Sequence, residues 1–257
     1  TTIKNSNTFI YVSSNNGFLT LEGNNFTDGT VNVSNDSLLN IKSGTYSNTF
    51  NINGTGKSVD QTGSPIDQDD NSYSVIMEDG TINKTLNLNS SGLKWIKGGS
   101  IIPNSDNAIN NTTSAKLLLG VNDGVVESKE NTKPIITGNK YAIYTSDYDF
   151  VIDFYDGILT GEHPTDAIFE KVEPGYQIHR DIDKVNNKEI EYLKKEAIIK
   201  DINTNENYYS TNEVNEAISN GSINSGDTLK VLIDIVILEL DNPITIPEGL
   251  TINFDLN

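Results

Sequence analysis

One local pattern recurs along the first two thirds of this chain and constrains its fold more than any other feature. The pattern runs apolar–x–apolar–x–x–Gly–x–apolar, as in "LNIKSGTY" at residues 39–46 and "VIDFYDGIL" at residues 151–159. Alternating apolar residues are typical of a strand with one buried face, and glycine supplies the positive φ that a tight turn needs. The glycines that share this position are Gly23, Gly44, Gly80, Gly99, Gly124 and Gly157.

The spacing of these glycines indicates a repeating unit of roughly 20 to 25 residues, with two longer intervals that carry insertions. Short strands at this period, separated by Gly/Asn turns and without helical periodicity, predict a mostly β fold of the β-solenoid type. Leu39, Ile41, Ile152 and Phe154 are then expected to point into the interior, and asparagines to form ladders in the turns. A β-sandwich with hairpin turns is the alternative.

Composition restricts the partners of this chain. Asparagine is abundant but interleaved with apolar residues, which disordered segments lack. The chain has no cysteine, so it has no disulfide and no thiolate ligand, and this fits an exported bacterial protein. A net charge of -18, with Arg180 as the only arginine, argues against nucleic acid and anionic membranes as partners. The most apolar run, residues 229–240, is too short and too charged for membrane insertion.

The residue composition and pattern of the sequence change twice along the chain. Residues 1–161 carry the predicted coils, and residues 162–209 lose the Asn/Gly rhythm and predict a small β-rich linker. "STNE" at Ser210–Glu213 is a capping box that predicts a helix ending at Asn220–Gly221. Residues 210–257 are therefore interpreted as the helix-capped start of a second β-helix, in a chain expected to be a segment of a longer protein.

A family resemblance rests on this last region. The segment "NEAISN…SGDTLKVLIDIVIL…ITIPEGLTINFDLN" resembles the opening of a right-handed parallel β-helix of the pectin-lyase-like class. Such helices occur in large adhesin-like surface proteins of AT-rich Gram-positive bacteria, where a capping helix leads into the coils. The resemblance implies a β-helix on the cell surface or secreted, and it implies no shared enzymatic activity.

The stretch "IDFYDGI" at residues 152–158 holds two carboxylates, those of Asp153 and Asp156, beside aromatic residues. An acid/base pair is one interpretation. The other is a turn, because Asp156-Gly157 takes the place that Asp79-Gly80 takes in an earlier repeat, and Asp before Gly favours turns. The turn is the prediction, and no catalytic residue is predicted.

Two candidate binding sites remain. Asp67, Asp69 and Asp70 gather the oxygen ligands that calcium prefers, although a solvated acidic loop explains them without a metal. Tyr141, Tyr144, Tyr148 and Tyr155 lie near the last predicted coil. They are candidates for stacking against a glycan, or alternatively cover the end of the core.

The functional prediction is a non-enzymatic scaffold of a secreted or cell-wall-associated protein, monomeric as a segment, with a carbohydrate or a host surface protein as partner. A carbohydrate-active β-helix, either a polysaccharide lyase or a glycosidase, is the first alternative. A segment of a phage tail fibre, which would form an intertwined trimer, is the second.

Overall fold

The structure is a computed structural model that describes residues 10–13, 17–26, 28–58, 72–126, 132–232 and 243–256. Its elements are short strands and one helix. In chain order they are β1 (Ile10–Ser13), β2 (Phe18–Leu21), β3 (Asn24–Phe26), β4 (Thr30–Ser34), β5 (Leu38–Ile41), β6 (Gly44–Tyr46), β7 (Thr49–Gly54), β8 (Lys57–Ser58), β9 (Ser72–Met77), β10 (Thr81–Ile82), β11 (Leu86–Ser90), β12 (Leu93–Ile96), β13 (Ser100–Ile101), β14 (Asn107–Asn111), β15 (Leu117–Leu119), β16 (Ile135–Thr137), β17 (Tyr141–Thr145), β18 (Val151–Phe154), β19 (Ile158–Gly161), β20 (Ile168–Val172), β21 (Tyr176–Asp183), β22 (Lys188–Lys195), β23 (Ile199–Asp201), β24 (Asn207–Tyr208), α1 (Thr211–Asn220), β25 (Thr228–Val231) and β26 (Asn253–Asp255).

The strands from β1 to β19 fall into three parallel sheets. Sheet A has the order β1-β4-β7-β11-β14-β17, and sheet B has the order β2-β5-β9-β12-β15-β18-β20. Sheet C has the order β3-β6-β10-β13-β16-β19, followed by β22, which is antiparallel to β19, and β21. Apart from the short β8, the chain therefore passes through sheets A, B and C in turn and then returns to A. The prediction of a mostly β fold is confirmed.

The buried side chains of each sheet stand in register from strand to strand. In sheet A one row joins Val31, Phe50, Leu86, Ile109 and Ile143, all without solvent exposure. The residues expected to point inward from sheet B, which are Leu39, Ile41, Ile152 and Phe154, are all buried. Burying an aliphatic or aromatic side chain contributes roughly 1.5–3 kcal/mol, so these rows are the main source of stability.

The turns from sheet B to sheet C are packed against one another through glycine. A Cβ atom on Gly80 would lie 2.9 Å from the carbonyl oxygen of Gly44, and one on Gly99 would lie 2.5 Å from that of Gly80. Both residues have positive φ, as the sequence predicts. Gly124 also has positive φ but has no atom within 4 Å of the Cβ position. Pro134 occupies the stacked position instead: Ile135 pairs with Ser100, and a Cβ atom on Gly157 would lie 2.7 Å from the carbonyl oxygen of Pro134. The connection from β15 to β16 is long, so Gly124 lies within it and not at its end.

The first compact unit extends beyond the predicted coils. It comprises Thr1–Glu173 and Ile178–Leu193. The predicted boundary at residue 161 falls inside it, because β20 adds to sheet B and β22 pairs with β19 in sheet C. The rings of Phe154 and Phe169 stack with centroids 5.4 Å apart, which joins β20 to the apolar row of sheet B.

The second unit comprises Pro174–Gln177 and Lys194–Asn257. Helix α1 begins after Ser210, whose Oγ accepts a hydrogen bond from the backbone N–H of Glu213, and ends at Gly221 with φ 76. The predicted N-cap and helix end are therefore present, and the Glu213 carboxylate accepts from the backbone N–H of Tyr209 at 2.7 Å, one residue before the N-cap. A small sheet in the order β24-β23-β25-β26 packs with the helix around Val214 and Leu229. Its strands β25 and β26 are parallel, and a second β-helix beginning here stays a prediction.

Candidate functional site

The outer face of sheet A carries a row of asparagines. Strands β4, β7, β11 and β14 place Asn32, Asn51, Asn87 and Asn110 at one register position. Each asparagine lies next in sequence to a buried residue, for example Asn51 between Phe50 and Ile52. Because side chains alternate along a strand, the asparagines point away from the interior.

These four amides form a hydrogen-bonded ladder that runs in one direction. The Nδ2 of Asn110 donates to Oδ1 of Asn87 at 3.0 Å, and the Nδ2 of Asn87 donates to Oδ1 of Asn51 at 2.8 Å. Asn51 donates in the same way to Asn32, also at 2.8 Å. The sequence predicts asparagine ladders in the turns, whereas this ladder lies on the strands. The strands keep a constant register from one to the next, so asparagines at equivalent strand positions fall one above another.

A second polar row lies two residues further along the same strands. The Nδ2 of Asn89 donates to Oδ1 of Asn53 at 3.2 Å, and the Oγ1 of Thr112 donates to Oδ1 of Asn89 at 2.9 Å. The described strands of sheet A contain no Asp, Glu, Lys or Arg, in a chain with 36 acidic and 18 basic residues. The outer face of sheet A is therefore an uncharged array of fixed hydrogen-bonding groups.

Aromatic rings lie at one end of this array. Tyr144 is in register with Asn110 and is 37% exposed. Its ring centroid lies 5.4 Å from that of Tyr141, and the Tyr141 ring lies 5.9 Å from the His163 ring. Tyr141 and Tyr144 share a face although they are three residues apart, because Ala142 and Ile143 between them are both buried.

Of the tyrosines that the sequence groups as stacking candidates, Tyr141 and Tyr144 lie together and the other two lie apart from them. Tyr144 belongs to the array on sheet A, and Tyr148 lies between β17 and β18 with 97% of its surface exposed. Tyr155 lies in the turn after β18, where it is only 8% exposed and donates to Oδ2 of Asp153 at 3.4 Å. Burial raises the pKa of the Tyr155 hydroxyl, and the Asp153 carboxylate raises it further.

The outer face of sheet B has a different chemistry. The Trp95 ring stacks on Tyr73 with centroids 5.8 Å apart, Lys97 Nζ lies 4.0 Å from the Trp95 ring centroid, and the indole N–H donates to the carbonyl oxygen of Gly120 at 2.8 Å. All of these groups already have partners within the chain. The face therefore presents an aromatic and cationic cluster in which the tryptophan is held rigidly.

Further along sheet B, Lys116 joins two carboxylates. Its Nζ lies 3.1 Å from Oδ2 of Asp153, whose side chain is 6% exposed, and also contacts Glu170, which is 47% exposed. Burial alone would lower the pKa of Lys116, but its hydrogen bonds to Glu170 and Asp153 outweigh burial and raise it. The hydrogen bond to Lys116 in turn lowers the pKa of Glu170.

The two aspartates of "IDFYDGI" therefore have separate roles. Asp156 lies in the turn, where Oδ1 accepts from the N–H of Gly157 at 2.8 Å and from the hydroxyl of Thr132. Asp153 lies on strand β18 and is paired with Lys116. The turn interpretation holds for Asp156, and it is wrong for Asp153, because the repeat pattern places residue 153 between two inward-facing residues of a strand.

Lys94 is the one charged side chain in the described interior rows of sheet B. It stands in register with Val75 and Leu117 and has no solvent exposure. Its Nζ donates to Oγ1 of Thr113 at 2.8 Å and to the carbonyl oxygen of Ala115 at 2.9 Å. Burial lowers the pKa of Lys94 to about 7, and the Asp147 carboxylate offsets part of that shift. The amine is thus neutral in much of the population near pH 7.

The candidate calcium ligands Asp67, Asp69 and Asp70 lie outside the described residues. Within the ranges that the structure describes, no group of three or more His, Cys, Asp or Glu side chains is placed to hold a metal ion. Among the same residues, no helix is both long and apolar enough to cross a membrane.

Comparison with known proteins found no protein family, no curated protein and no solved structure that matches this chain.

Proposed function

We propose that this chain is a non-enzymatic scaffold segment of a secreted or cell-wall-associated bacterial surface protein, and that sheets A, B and C close around one interior as a right-handed parallel β-helix. The observation that carries this proposal is the cyclic passage of the chain through three parallel sheets. A strand that returns to the same sheet after visiting the other two stacks on its predecessor, and this is the topology of a β-solenoid.

The packing of the rows supports the same architecture. Tyr46, at the end of β6 in sheet C, packs edge-to-face on Phe50 of β7 in sheet A, with ring centroids 5.8 Å apart. Contacts of this kind are expected if side chains of different sheets share one apolar interior. Each pass through the sheets hydrogen-bonds along its length to the next, so the stack resists bending and leaves open edges only at its ends. Such a body suits a spacer that presents its flank to a glycan or a host protein.

An experimental structure of the chain tests the architecture directly. The expected result is three sheets that enclose a single apolar interior with right-handed coils. Sheets that pack as open layers, in the manner of a β-sandwich, would contradict the proposal. Light scattering separates a further alternative, because a tail-fibre segment forms an intertwined trimer, whereas the scaffold is expected to be monomeric.

Location is tested on cells that produce the protein. Proteolysis of intact cells is expected to release peptides of this chain, because a wall-bound scaffold lies outside the membrane. Peptides that are released only after lysis would overturn the surface assignment.

A carbohydrate-active enzyme is the second candidate, and the cluster of Asp153, Lys116 and Tyr155 favours it. A buried carboxylate beside a lysine and a tyrosine is a combination that acid/base chemistry uses. Incubation with acidic and neutral polysaccharides, with and without calcium, is expected to produce no new reducing or unsaturated ends. Depolymerisation that is lost in Asp153→Asn would establish the enzyme in place of the scaffold.

A further inference from the structure

The ladder asparagines have hydrogen-bonding capacity that the ladder does not use. Each side-chain amide has two N–H donors and two acceptor lone pairs, and one ladder contact on each side uses one of each. The contacts along Asn32, Asn51, Asn87 and Asn110 fix the side-chain rotamers. A ligand that meets this face therefore finds donors and acceptors already oriented and loses little side-chain entropy on binding.

The charge of the protein restricts what can meet this face. The strands of sheet A contribute no ionised side chain, and the whole chain has a net charge of -18. An anionic polymer would be repelled by the surrounding field and would find no cation on the strands of the array, although Lys140 Nζ lies 5.3 Å from the Tyr141 ring centroid at the aromatic end. A cationic partner would find no carboxylate on it. A hydroxyl group matches the array in two ways: it is uncharged, and it both donates and accepts hydrogen bonds, as an amide does.

The aromatic end of the array adds a second, independent feature. Tyr144 continues the asparagine row by register, and its ring is 37% exposed next to Tyr141. A tyrosine ring combines an apolar face with a polar hydroxyl, and a sugar ring likewise has an apolar face and polar edges. Amide row and aromatic end together thus offer both kinds of contact that a sugar chain makes.

The length of the array indicates a polymer. From Asn32 to Tyr144 the row spans five neighbouring strands, or about 19 Å at the usual strand spacing. The contacts are regularly spaced and each is weak, so affinity accumulates only when one ligand reaches several of them. We propose that the outer face of sheet A, from Asn32 to Tyr144, binds a neutral, hydroxyl-rich glycan chain, with Tyr141 and Tyr144 as its stacking end. This inference deepens the proposed scaffold function and rests on it.

Calorimetric titration of the whole chain with cellohexaose, maltohexaose and hexa-N-acetylchitohexaose tests the proposal, with hexagalacturonate as the anionic comparison. At least one neutral hexasaccharide is expected to bind, with the corresponding disaccharide much weaker. Tyr144→Ala is expected to reduce the affinity about tenfold, the size of one lost aromatic contact. Tyr144→Phe retains the ring and is expected to bind within a few-fold of the natural chain.

The two sides of the molecule provide matched controls. Tyr73→Ala removes a tyrosine from the outer face of sheet B and is expected to leave the affinity unchanged. Trp95 is the only tryptophan and lies on that same face, so its fluorescence is expected to stay constant during the titration. Thermal unfolding of each variant shows that it is folded.

Three results would overturn the proposal: no neutral hexasaccharide binds at millimolar concentration, hexagalacturonate binds more tightly than all of them, or Tyr73→Ala weakens binding and Tyr144→Ala does not. None of these results bears on closure of the sheets, on surface location or on depolymerisation. Failure of this inference is therefore distinguishable from failure of the scaffold proposal.

Discussion

Sheets A and B are built from the same repeated path of the chain through three sheets, yet they accommodate polar side chains in opposite ways. In sheet A the polar groups are neutral amides that satisfy one another along the stack, as Asn51 does between Asn32 and Asn87. Sheet B buries charge on both of its faces, with Lys94 inside and the carboxylate of Asp153 outside. Amides in register need no desolvated charge, whereas a buried ionised group in sheet B requires a specific partner or loses its charge.

This difference explains why ionisable groups with shifted pKa values occur in sheet B. The pKa values of Lys94, Lys116 and Tyr155 are all shifted, and all three residues belong to strands or turns of sheet B. Each shift follows from burial or from a fixed charged neighbour. The comparison predicts that substitutions in sheet B act through charge and pH, whereas those in sheet A act through the number of hydrogen bonds.

The largest effect is expected for Lys94→Met, which replaces the buried amine by an apolar chain of similar length. The pKa of Lys94 is lowered from 10.5 to about 7, so the unfolded chain holds this proton between pH 7 and 10.5 and the folded chain does not. Stability from this group therefore rises with pH across that window and is lowest at pH 7 and below. The variant is expected to be more stable by roughly 4 kcal/mol at pH 7.

The measurement is denaturant unfolding of both proteins at several pH values from 7 to 9.5. The advantage of the variant is expected to shrink by about 1.4 kcal/mol per pH unit, because the natural chain gains stability as pH rises. Lys42→Met, at an exposed position after β5, is the control and is expected to change little. A pH-independent difference would show that Lys94 keeps its charge in the folded protein.

The next largest effect is expected for Gly99→Ala. Gly99 and Gly124 have the same φ of 79, but only at Gly99 would a Cβ atom collide with backbone, 2.5 Å from the carbonyl oxygen of Gly80. Gly124→Ala is expected to cost about 1 kcal/mol for the left-handed backbone alone. Gly99→Ala adds the collision and is expected to cost about 3 kcal/mol. Equal losses in chemical denaturation would mean that the turns are not packed on one another.

A smaller loss is expected when the ladder of sheet A is cut at its centre. Asn51→Ala removes one donated and one accepted amide hydrogen bond, which together contribute about 1–2 kcal/mol. Thr45→Ala, on the exposed outer face of β6 in sheet C, is the control and is expected to lie within about 0.5 kcal/mol of the natural chain. The loss for Asn51→Ala is expected to be the same at pH 6 and pH 9. A marked pH dependence would contradict the contrast between the two sheets.

The smallest effects are expected for the two carboxylates that share Lys116. Asp153→Asn removes the buried partner and is expected to cost about 1 kcal/mol, while Glu170→Gln removes a half-exposed partner and is expected to cost less than about 0.5 kcal/mol. Both substitutions are expected to bring the pKa of Lys116 down, because both carboxylates raise it. Nitrogen-detected NMR of the lysine side chains measures this shift. A larger loss for Glu170→Gln would reverse the assigned roles.

Local sequence signals anticipated the elements that depend on local chemistry. Alternation predicted that Leu39 and Phe154 are buried, and the capping box with Gly221 predicted the bounds of α1, because caps and alternation act over a few residues. Position in the stack was harder to predict. Gly124 matches the local pattern, yet Pro134 is the residue that packs against the neighbouring turns. The length of each connection decides which residue packs there, and the local pattern does not contain that information.

In the candidate site, too, the local sequence indicated the residue types but not which residues lie together. The sequence indicated tyrosines near the last repeat but grouped Tyr144 with Tyr148 and Tyr155, because separation along the chain does not reveal which sheet a residue joins. The strand register placed Tyr144 beside Asn110 on sheet A and buried Tyr155 in a turn of sheet B.

By itself the sequence determined that the chain is rich in strands, where its turns fall, and that its surface is acidic, because these follow from residue type and short-range alternation. Only the tertiary structure decided that the asparagines form one continuous ladder on an uncharged sheet and that a lysine lies among apolar side chains. The physical reason is register: strands about 20 or more residues apart in sequence become neighbours about 4.8 Å apart, and side-chain contacts between them arise only when the chain has closed those loops.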